Sequence, residues 1–157
     1  MRTLLILLFS VVPVVASPLS EALKAVAAKC QVDLRYASVS GCPEGEDGKV
    51  KAIIDADGMP KSLPDLVQAF ASKDEKLSAL SAGYLYTYRT SLGDALKNPK
   101  LVPAKTADAC IKALAQNKTY VSYYAAEITA VLATLHKKEA ALFKVLDAHP
   151  ENATRNE

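Results

Sequence analysis

The sequence predicts an all-α fold built from short amphipathic helical hairpins, and three observations support this. Half of the 157 residues are hydrophobic, with six glycines and no tryptophan. Ala and Leu are abundant whereas alternating β-branched and aromatic runs are scarce, which favours helix over sheet. The apolar residues recur with the 3.6-residue period of an amphipathic helix, and the pattern returns when the chain is shifted by 44 positions.

Residues 1–16 have the features of a signal peptide. Arg2 gives a basic start, and Leu4 to Ala16 is an apolar stretch too short for a comfortable membrane span. Val14-Val15-Ala16 fits a cleavage site before Ser17, so we expect an exported protein, periplasmic or extracellular. The alternative is a retained membrane anchor.

Charge gives no argument for a polyanionic partner. The chain's 19 basic and 17 acidic side chains give a net charge of +2, and loss of Arg2 with the leader leaves +1. Such a balance predicts binding neither to nucleic acid nor, after removal of the leader, to a membrane surface.

Residues 17–59 are predicted to form an N-terminal cap. Ser17-Pro18 is a typical helix start, and that helix should run to about Lys29. The stretch from Val32 to Ser40 is predicted to be irregular or weakly extended, and residues 41–48, rich in Gly and acids, are predicted to be a loop. A short helix over 49–56 follows, which Gly58 and Pro60 end.

Residues 60–149 are predicted to be helical throughout. Ser62 with Asp65 resembles a capping box. The expected helices span 62–72, 75–95, 99–116, 118–135 and 137–148. The tail 150–157 is polar and is expected to be flexible.

The internal repeat joins two of these hairpins. A shift of 44 residues places Leu66, Val67, Ala69 and Phe70 on Cys110, Ile111, Ala113 and Leu114, and "FASKDEKLSAL" on "LAQNKTYVSYY". Each unit is therefore a helix, a tight polar turn and a second helix. Such units bury their apolar faces only by stacking on neighbours.

The repeat resembles HEAT-like α-helical repeats. The first helix carries Leu63-Pro64-x-Leu66-Val67-x-Ala69-Phe70, the turn Ser72-Lys73-Asp74 contains an Asp, and the second helix presents Leu77, Ser81 and Tyr84, with Val121, Ala125 and Ile128 in the next unit. The resemblance implies a short right-handed array of α-α hairpins over 60–149 that binds proteins without catalysis. The sequence departs from the HEAT pattern in two ways. The Arg usual in the second helix has no convincing counterpart, and the last helix has no second helix to pair with.

Two of the three cysteines, Cys30 and Cys42, are predicted to form a structural disulfide. Their spacing suits neither a Cys-x-x-Cys redox pair nor a zinc site, and no His lies near them. Cys110 lies on the apolar face of its helix and is predicted to be a buried hydrophobe. A pairing of Cys110 with either of the others stays open at this point.

Other candidate chemistry is sparse. His136 and Glu139 supply only two metal ligands, and the "DADG" stretch from Asp55 to Gly58 lacks the later ligands of a calcium loop. The acidic residues Glu44, Glu46 and Asp47 are expected to be solvated. We therefore expect no enzyme activity, no metal and no cofactor.

Tyrosines are the main candidates for a partner surface. Tyr84, Tyr88 and Tyr124 lie on the inferred core face, whereas Tyr86, Tyr120 and Tyr123 lie off it. Tyr is favoured at interfaces because it offers a large contact area at low entropic cost. The alternative is that these three pack against a neighbouring helix. The other predicted contacts lie in the two turns: Lys73, Asp74, Asn117 and Lys118.

The sequence thus predicts a non-catalytic exported module that binds another protein through a helical-repeat surface. The alternative function is a small-molecule or lipid carrier with an apolar pocket between hairpins. Asn117 and Asn152 head glycosylation sequons, which matter only in a eukaryotic source.

Overall fold

The computed structural model describes residues 16–92, 99–116 and 121–150, and these form an all-α fold with one small sheet. The helices are α1 Pro18–Lys29, α2 Glu46–Asp57, α3 Met59–Phe70, α4 Glu75–Thr87, α5 Ala104–Gln116, α6 Val121–Leu135 and α7 Glu139–Ala148. The sheet pairs β1, Gln31–Asp33, with β2, Ser38–Ser40, and a 3₁₀ turn spans Arg89–Leu92. The predicted leader up to residue 15, the turn contacts Asn117 and Lys118, Tyr120, Asn152 and the tail beyond Pro150 lie outside the described residues.

The helices stack in two layers. One layer follows the order α2, α3, α5, α7 and the other the order α1, α4, α6, and each helix packs on its neighbours within its layer. Across the layers α1 packs on α2, α3 on α4, and α5 on α6. This arrangement is a stack of helical hairpins with α7 at one end.

Hydrogen bonds and ring contacts give the helix directions. Within the α3/α4 hairpin, the hydroxyl of Ser78 donates to the carbonyl of Phe70, and that of Ser81 to the carbonyl of Leu66. The later residue of α4 bonds to the earlier residue of α3, so the two helices are antiparallel. Between hairpins, Tyr86 contacts Tyr124, and Arg89, just after α4, contacts Glu127. Residue numbers increase together on both sides, so α4 runs in the same direction as α6.

The core repeats as the sequence pattern predicts. Leu66 and Phe70 in α3 are fully buried, and so are Cys110 and Leu114 at the equivalent places of α5. In the second layer, Ser81 and Ala125 are equivalent and equally buried. The packed face of each hairpin is thus built from the same set of positions.

The stretch from Val32 to Ser40, predicted to be irregular or weakly extended, lies in a β-hairpin of two short strands. Val32 pairs with Val39, and the carboxylate of Asp33 accepts hydrogen bonds from the backbone amides of Arg35 and Tyr36 at 2.8 and 3.0 Å. This Asx turn folds the chain back locally. Strands of three residues are too short to show a clear two-residue period, so the sequence indicated at most weak extension and not a paired hairpin.

Several predicted helix ends are wrong by up to one or two turns. α2 begins at Glu46 rather than residue 49, and α4 ends at Thr87 rather than 95. α5 begins at Ala104 rather than 99. α3 begins at Met59 directly after Gly58, whose φ of 78° ends α2. The expected cap Ser62 is therefore buried inside α3, where its hydroxyl has no partner among the described atoms.

The disulfide between Cys30 and Cys42 is present, with Cα atoms 4.4 Å apart. It joins the residue after α1 to a residue just beyond β2 and so closes the base of the β-hairpin. Cys110 is a free, buried thiol, as predicted. Its Sγ lies 2.9 Å from the hydroxyl of Thr129 on α6.

Glu46 was predicted to be solvated, but its side chain is instead largely buried and connects α1 to α2. Its carboxylate accepts from Lys29 at 2.9 Å and from Lys49 at 3.3 Å. The hydrogen bonds from Lys29 and then Lys49 hold the pKa of Glu46 below its usual value. These contacts fix the start of α2 beside the disulfide.

Candidate functional site

A tyrosine-lined cleft of about 360 Å³ opens between the β-hairpin, α2, α4 and the start of α6. We refer to it as the tyrosine cleft. The hairpin turn and β2 form one wall, α2 forms another, and α4 forms the floor. Its lining residues are Tyr36, Ala37, Ser38, Val39, Asp47, Lys51, Leu80, Gly83, Tyr84, Tyr86, Thr87 and Tyr124.

The floor depends on a glycine in the middle of α4. Leu80, Gly83, Tyr84 and Thr87 lie one helical turn apart along one face of α4. A Cβ atom at Gly83 would collide with the carbonyl oxygen of Ala37 and lie 3.2 Å from its carbonyl carbon. The missing side chain therefore lets the hairpin turn rest directly on the helix backbone.

Three tyrosines form a ring cluster at one end of the tyrosine cleft. The rings of Tyr86 and Tyr124 meet edge to face with centroids 5.3 Å apart, and Tyr123 meets Tyr124 in the same way at 5.7 Å. Such pairs contribute about 0.5–1.5 kcal/mol beyond the area that they bury. All three side chains are half-buried, so the cluster keeps part of its aromatic surface open.

Arg89 holds this cluster in place. Its guanidinium lies 3.8 Å from the ring centroid of Tyr86, and its Nη1 donates to the carbonyl of Tyr86 at 2.7 Å. Its Nε also pairs with Glu127 of α6 at 2.9 Å. Arg89 thus connects the end of α4 to α6 beneath the aromatic rings.

Tyr84 on α4 and Tyr88, the residue after α4, are held neutral. Burial, with the nearby Asp47 carboxylate and then Tyr88 as lesser causes, raises the pKa of Tyr84 to about 12. Burial and a hydrogen bond to Asp55 at 3.0 Å raise the pKa of Tyr88. Neutral phenols can donate hydrogen bonds and stack, but they do not act as bases near neutral pH.

The wall formed by α2 presents two opposite charges. Asp47 and Lys51 are one helical turn apart, and both line the tyrosine cleft. Acid–base pairs at this spacing often bond to each other. Here neither side chain has an ion-pair partner within the part of the chain that the structure describes. Both charges are therefore available to a molecule in the cleft.

The structure brings together some of the predicted contact residues and separates others. Tyr86 lines the tyrosine cleft, and Tyr123 adjoins it through Tyr124. Lys73 and Asp74 are exposed at the opposite end of α4, about 18 Å from Tyr86 at 1.5 Å of helix rise per residue. The carboxylate of Asp74 caps α4 by accepting from the amides of Lys76 and Leu77. Three more predicted contacts, Asn117, Lys118 and Tyr120, are outside the described ranges.

Sequence analysis missed Tyr36, which is 51% exposed and forms the outer lip of the tyrosine cleft. The guanidinium of Arg35 lies 5.4 Å from its ring centroid. Tyr36 precedes Ala37, which has a positive φ of 50°. The Asp33 side chain, a common turn former, was the signal that could have placed this tyrosine at a hairpin tip.

The carboxylates of the "DADG" stretch and His136, considered above as metal ligands, have structural partners. Asp57 pairs with Lys61 at 2.7 Å and Asp55 accepts from Tyr88, so the "DADG" carboxylates do not converge. His136 contacts the carbonyl of Val102 through Nε2 at 2.7 Å and so fastens the segment before α5 to the end of α6. In the described ranges no group of three or more His, Cys, Asp or Glu side chains is placed to hold a metal ion.

A second, polar cleft of about 250 Å³ lies between α1, α3 and the start of α4. Lys24, Asp65 and Gln68 line it, and Asp65 accepts from the hydroxyl of Ser17 at 2.6 Å. It lacks the aromatic surface of the tyrosine cleft. None of the described helices has the length and apolarity needed to cross a bilayer.

Comparison with known proteins gives no match to a family model, to a curated protein or to a solved structure.

Proposed function

We propose that this chain is an exported, non-catalytic interaction module of HEAT-like hairpins that binds another protein at the tyrosine cleft. The single observation that carries the proposal is the set of tyrosines at one opening, which the exposed Tyr36 and the half-buried Tyr86 and Tyr124 all line. Large, rigid aromatic side chains around a recess are the typical anchors of protein interfaces.

The HEAT-like part of the proposal is supported by the helix directions. Successive second helices, α4 and α6, run the same way, and each hairpin is crossed by contacts between its two helices. Stacked hairpins of this kind build extended binding surfaces. Export is supported by the leader-like residues 1–16 and by the Cys30–Cys42 disulfide, because disulfides persist outside the cytoplasm.

The non-catalytic part of the proposal is supported by the chemistry of the described residues that line the cleft. Its titratable groups are an unpaired carboxylate, an ammonium and phenols, of which Tyr84 has a pKa raised to about 12. Among the described residues that line it, no nucleophile is paired with a base, and the free thiol of Cys110 is buried in the core. A cleft of this composition is suited to holding a partner by stacking and hydrogen bonds.

The predicted contacts at Lys73 and Asp74 remain part of the proposal as a second contact zone. A partner that touches both this turn and Tyr86 must extend along about 18 Å of α4. A partner confined to the tyrosine cleft does not reach them. Alanine variants at the two places therefore separate a local contact from an extended one.

Site-specific photocrosslinking on the full-length, oxidised chain tests the function. A photoreactive phenylalanine analogue replaces Tyr86, and the control places it at Phe143, which is 60% exposed on α7 outside the cleft. We expect a discrete adduct with a protein of the same exported compartment from position 86 only. Isothermal titration with that purified protein should then show at least ten-fold weaker binding for Tyr36→Ala and unchanged binding for Phe143→Ala. Equal adducts from both positions, or equal affinities of both variants, contradict the proposal.

A small-molecule carrier is the second candidate, and the cleft volume favours it. About 360 Å³ lies within the 300–1,000 Å³ typical of small-ligand pockets. The carrier proposed from sequence has an apolar pocket between hairpins, whereas the tyrosine cleft is at the surface and partly polar. Native mass spectrometry of the chain purified from its own compartment distinguishes the two, since a retained small molecule released by Tyr86→Ala supports the carrier.

A further inference from the structure

Helix α1 is fastened to the rest of the fold at both ends. At its end, Cys30 directly follows the helix and is bridged to Cys42 beyond the β-hairpin. At its start, the hydroxyl of the N-cap Ser17 donates to the carboxylate of Asp65 on α3 at 2.6 Å and accepts from the amide of Ser20 at 3.0 Å. Because α1 packs on α2, α3 and α4, these two fastenings position the first helix of the stack.

The start of α1 coincides with the bond at which the leader is expected to be cut. Hydrolysis of the peptide bond between Ala16 and Ser17 by a signal peptidase consumes one water molecule and leaves a carboxylate on Ala16. The amide nitrogen of Ser17 becomes an α-amino group, which is protonated below a pKa of about 8. The serine that caps α1 therefore also carries the positive charge of the mature chain's N-terminus.

This new charge is close to the carboxylate of Asp65. The nitrogen of a serine is about 3–4 Å from its own hydroxyl oxygen, since only two carbon atoms separate the two. The Ser17 hydroxyl oxygen is in turn 2.6 Å from Oδ2 of Asp65, so the nitrogen lies within about 6.5 Å of that carboxylate. Opposite charges at this separation favour each other's ionised forms, and both residues are only half-exposed to solvent.

No ion pair of the described part of the chain already involves Asp65. The polar cleft beside it has one other charged lining residue, Lys24 of α1, and the lining residues Ser72 and Leu77 next to it along the chain are uncharged. A second carboxylate, Glu21, is exposed one helical turn along α1, where solvent screens it more strongly. Asp65 is therefore the carboxylate that the structure holds against Ser17.

We infer that removal of the leader creates an ion pair between the α-ammonium of Ser17 and Asp65, which strengthens the attachment of α1 to α3 in the mature chain alone. The inference rests on the export part of the proposed function and goes beyond it. The disulfide at the other end of α1 likewise forms in an oxidising compartment. Both fastenings of α1 are thus completed only after export, and the precursor lacks them.

Semisynthesis tests the ion pair in the complete mature chain. Cys30 allows a synthetic thioester peptide of residues 17–29 to be ligated to a recombinant chain of residues 30–157, after which the disulfide is re-formed. Four chains are compared: Ser17 with a free or an acetylated amine, each with the native Asp65 or with Asp65→Asn. The acetyl group stands in for the peptide bond of the precursor, and asparagine retains an acceptor for the Ser17 hydroxyl.

Urea unfolding of the four chains at pH 6 and low salt measures the coupling. We expect acetylation to raise the unfolding equilibrium constant about two- to five-fold more with Asp65 than with Asp65→Asn, the range typical of exposed ion pairs. Effects of the acetyl group on the helix dipole and on Glu21 are common to both backgrounds and cancel in this double-mutant cycle. In 1 M NaCl, which screens the pair, most of the coupling should disappear.

A matched control replaces Asp65→Asn by Glu139→Gln on α7, a helix that packs on α5 and α6. This variant removes the same charge from the chain without touching the surroundings of Ser17. We expect no coupling between it and acetylation. Equal coupling in both cycles would mean that net charge, and not an ion pair with Asp65, causes the effect.

The outcomes separate this inference from the proposed function. N-terminal sequencing of the protein from its own compartment should find Ser17 first; any other first residue overturns the inference, and retention of residues 1–16 also contradicts leader cleavage. If Ser17 is first but the cycle shows no coupling, or coupling that 1 M NaCl leaves unchanged, the ion pair is wrong while export stands. The crosslinking at position 86 decides partner binding in either case.

Discussion

The contact between the hairpin turn and α4 predicts that Gly83→Ala destabilises the protein although alanine is the better helix former. Replacing a glycine in a helix interior by alanine contributes about 0.5–1 kcal/mol of stability. At Gly83, however, the new Cβ would overlap the carbonyl oxygen of Ala37 and lie 3.4 Å from the Ala37 Cβ. The colliding atom belongs to the backbone, so the hairpin must shift as a unit. Overpacking of this kind costs about 1–3 kcal/mol, which leaves a net loss of up to about 2.5 kcal/mol.

Gly48→Ala in α2 is the matched control, because a Cβ there meets nothing within 4 Å. Urea unfolding followed by circular dichroism should separate the two variants. With a slope of about 2 kcal/mol per molar urea, the midpoint falls by up to about 1.2 M for Gly83→Ala and rises by about 0.3–0.5 M for Gly48→Ala. Equal stabilisation by both variants would refute the packing of the hairpin on α4 and, with it, the shape of the tyrosine cleft.

Three further predictions concern the cysteines and the acid stability of the fold. Replacing Cys30 and Cys42 together by alanine should lower the free energy of unfolding by about 3 kcal/mol, the chain-entropy value for a loop of this size, measured by urea unfolding against the oxidised parent. Burial raises the pKa of the Cys110 thiol to about 11, so Ellman's reagent at pH 8 should label it only as fast as the protein unfolds; immediate labelling of the native chain would contradict its burial. The lowered pKa of Glu46 stabilises the fold above pH 4.5, and this contribution is lost as the pH falls through the folded-state pKa. Glu46→Gln should therefore reduce the loss of stability between pH 6 and pH 3, and an unchanged pH profile would show that its bonds to Lys29 and Lys49 do not matter.

The helical part of the fold could be predicted because its apolar periodicity extends over several helical turns. α3 and α5 each cover three turns with a clear apolar face, and the equivalent residues Leu66 and Cys110 are both buried as the 44-residue repeat requires. The helix ends could not be placed as well. At Gly58 one helix follows another with no linker, so the polar Ser62, a common cap residue, lies within the second helix and misled the assignment.

The site could be predicted only in part, because it depends on a tertiary contact. Tyr86 and Tyr123 were identified from their position off the core face, and both belong to or adjoin the ring cluster. Tyr36 was not, since Asp33 can signal a turn but nothing local indicates that the hairpin lies over α4. The glycine that permits this, Gly83, is an ordinary-looking residue within a helical pattern, and its meaning appears only when Ala37 is seen against it.

If the tyrosine cleft binds a partner, the disulfide is expected to support that binding as well as the stability of the fold. Cys30 and Cys42 close the base of the hairpin whose turn and outer strand form a wall of the tyrosine cleft. Core truncation far from the cleft, such as Leu142→Ala on α7, lowers global stability by about 2–5 kcal/mol but leaves that wall intact. If the bridge serves the site, its loss weakens partner binding much more than a core variant of equal unfolding free energy, when both are measured well below their unfolding temperatures. If the two variants bind alike, the bridge acts on stability alone and the wall needs no covalent support.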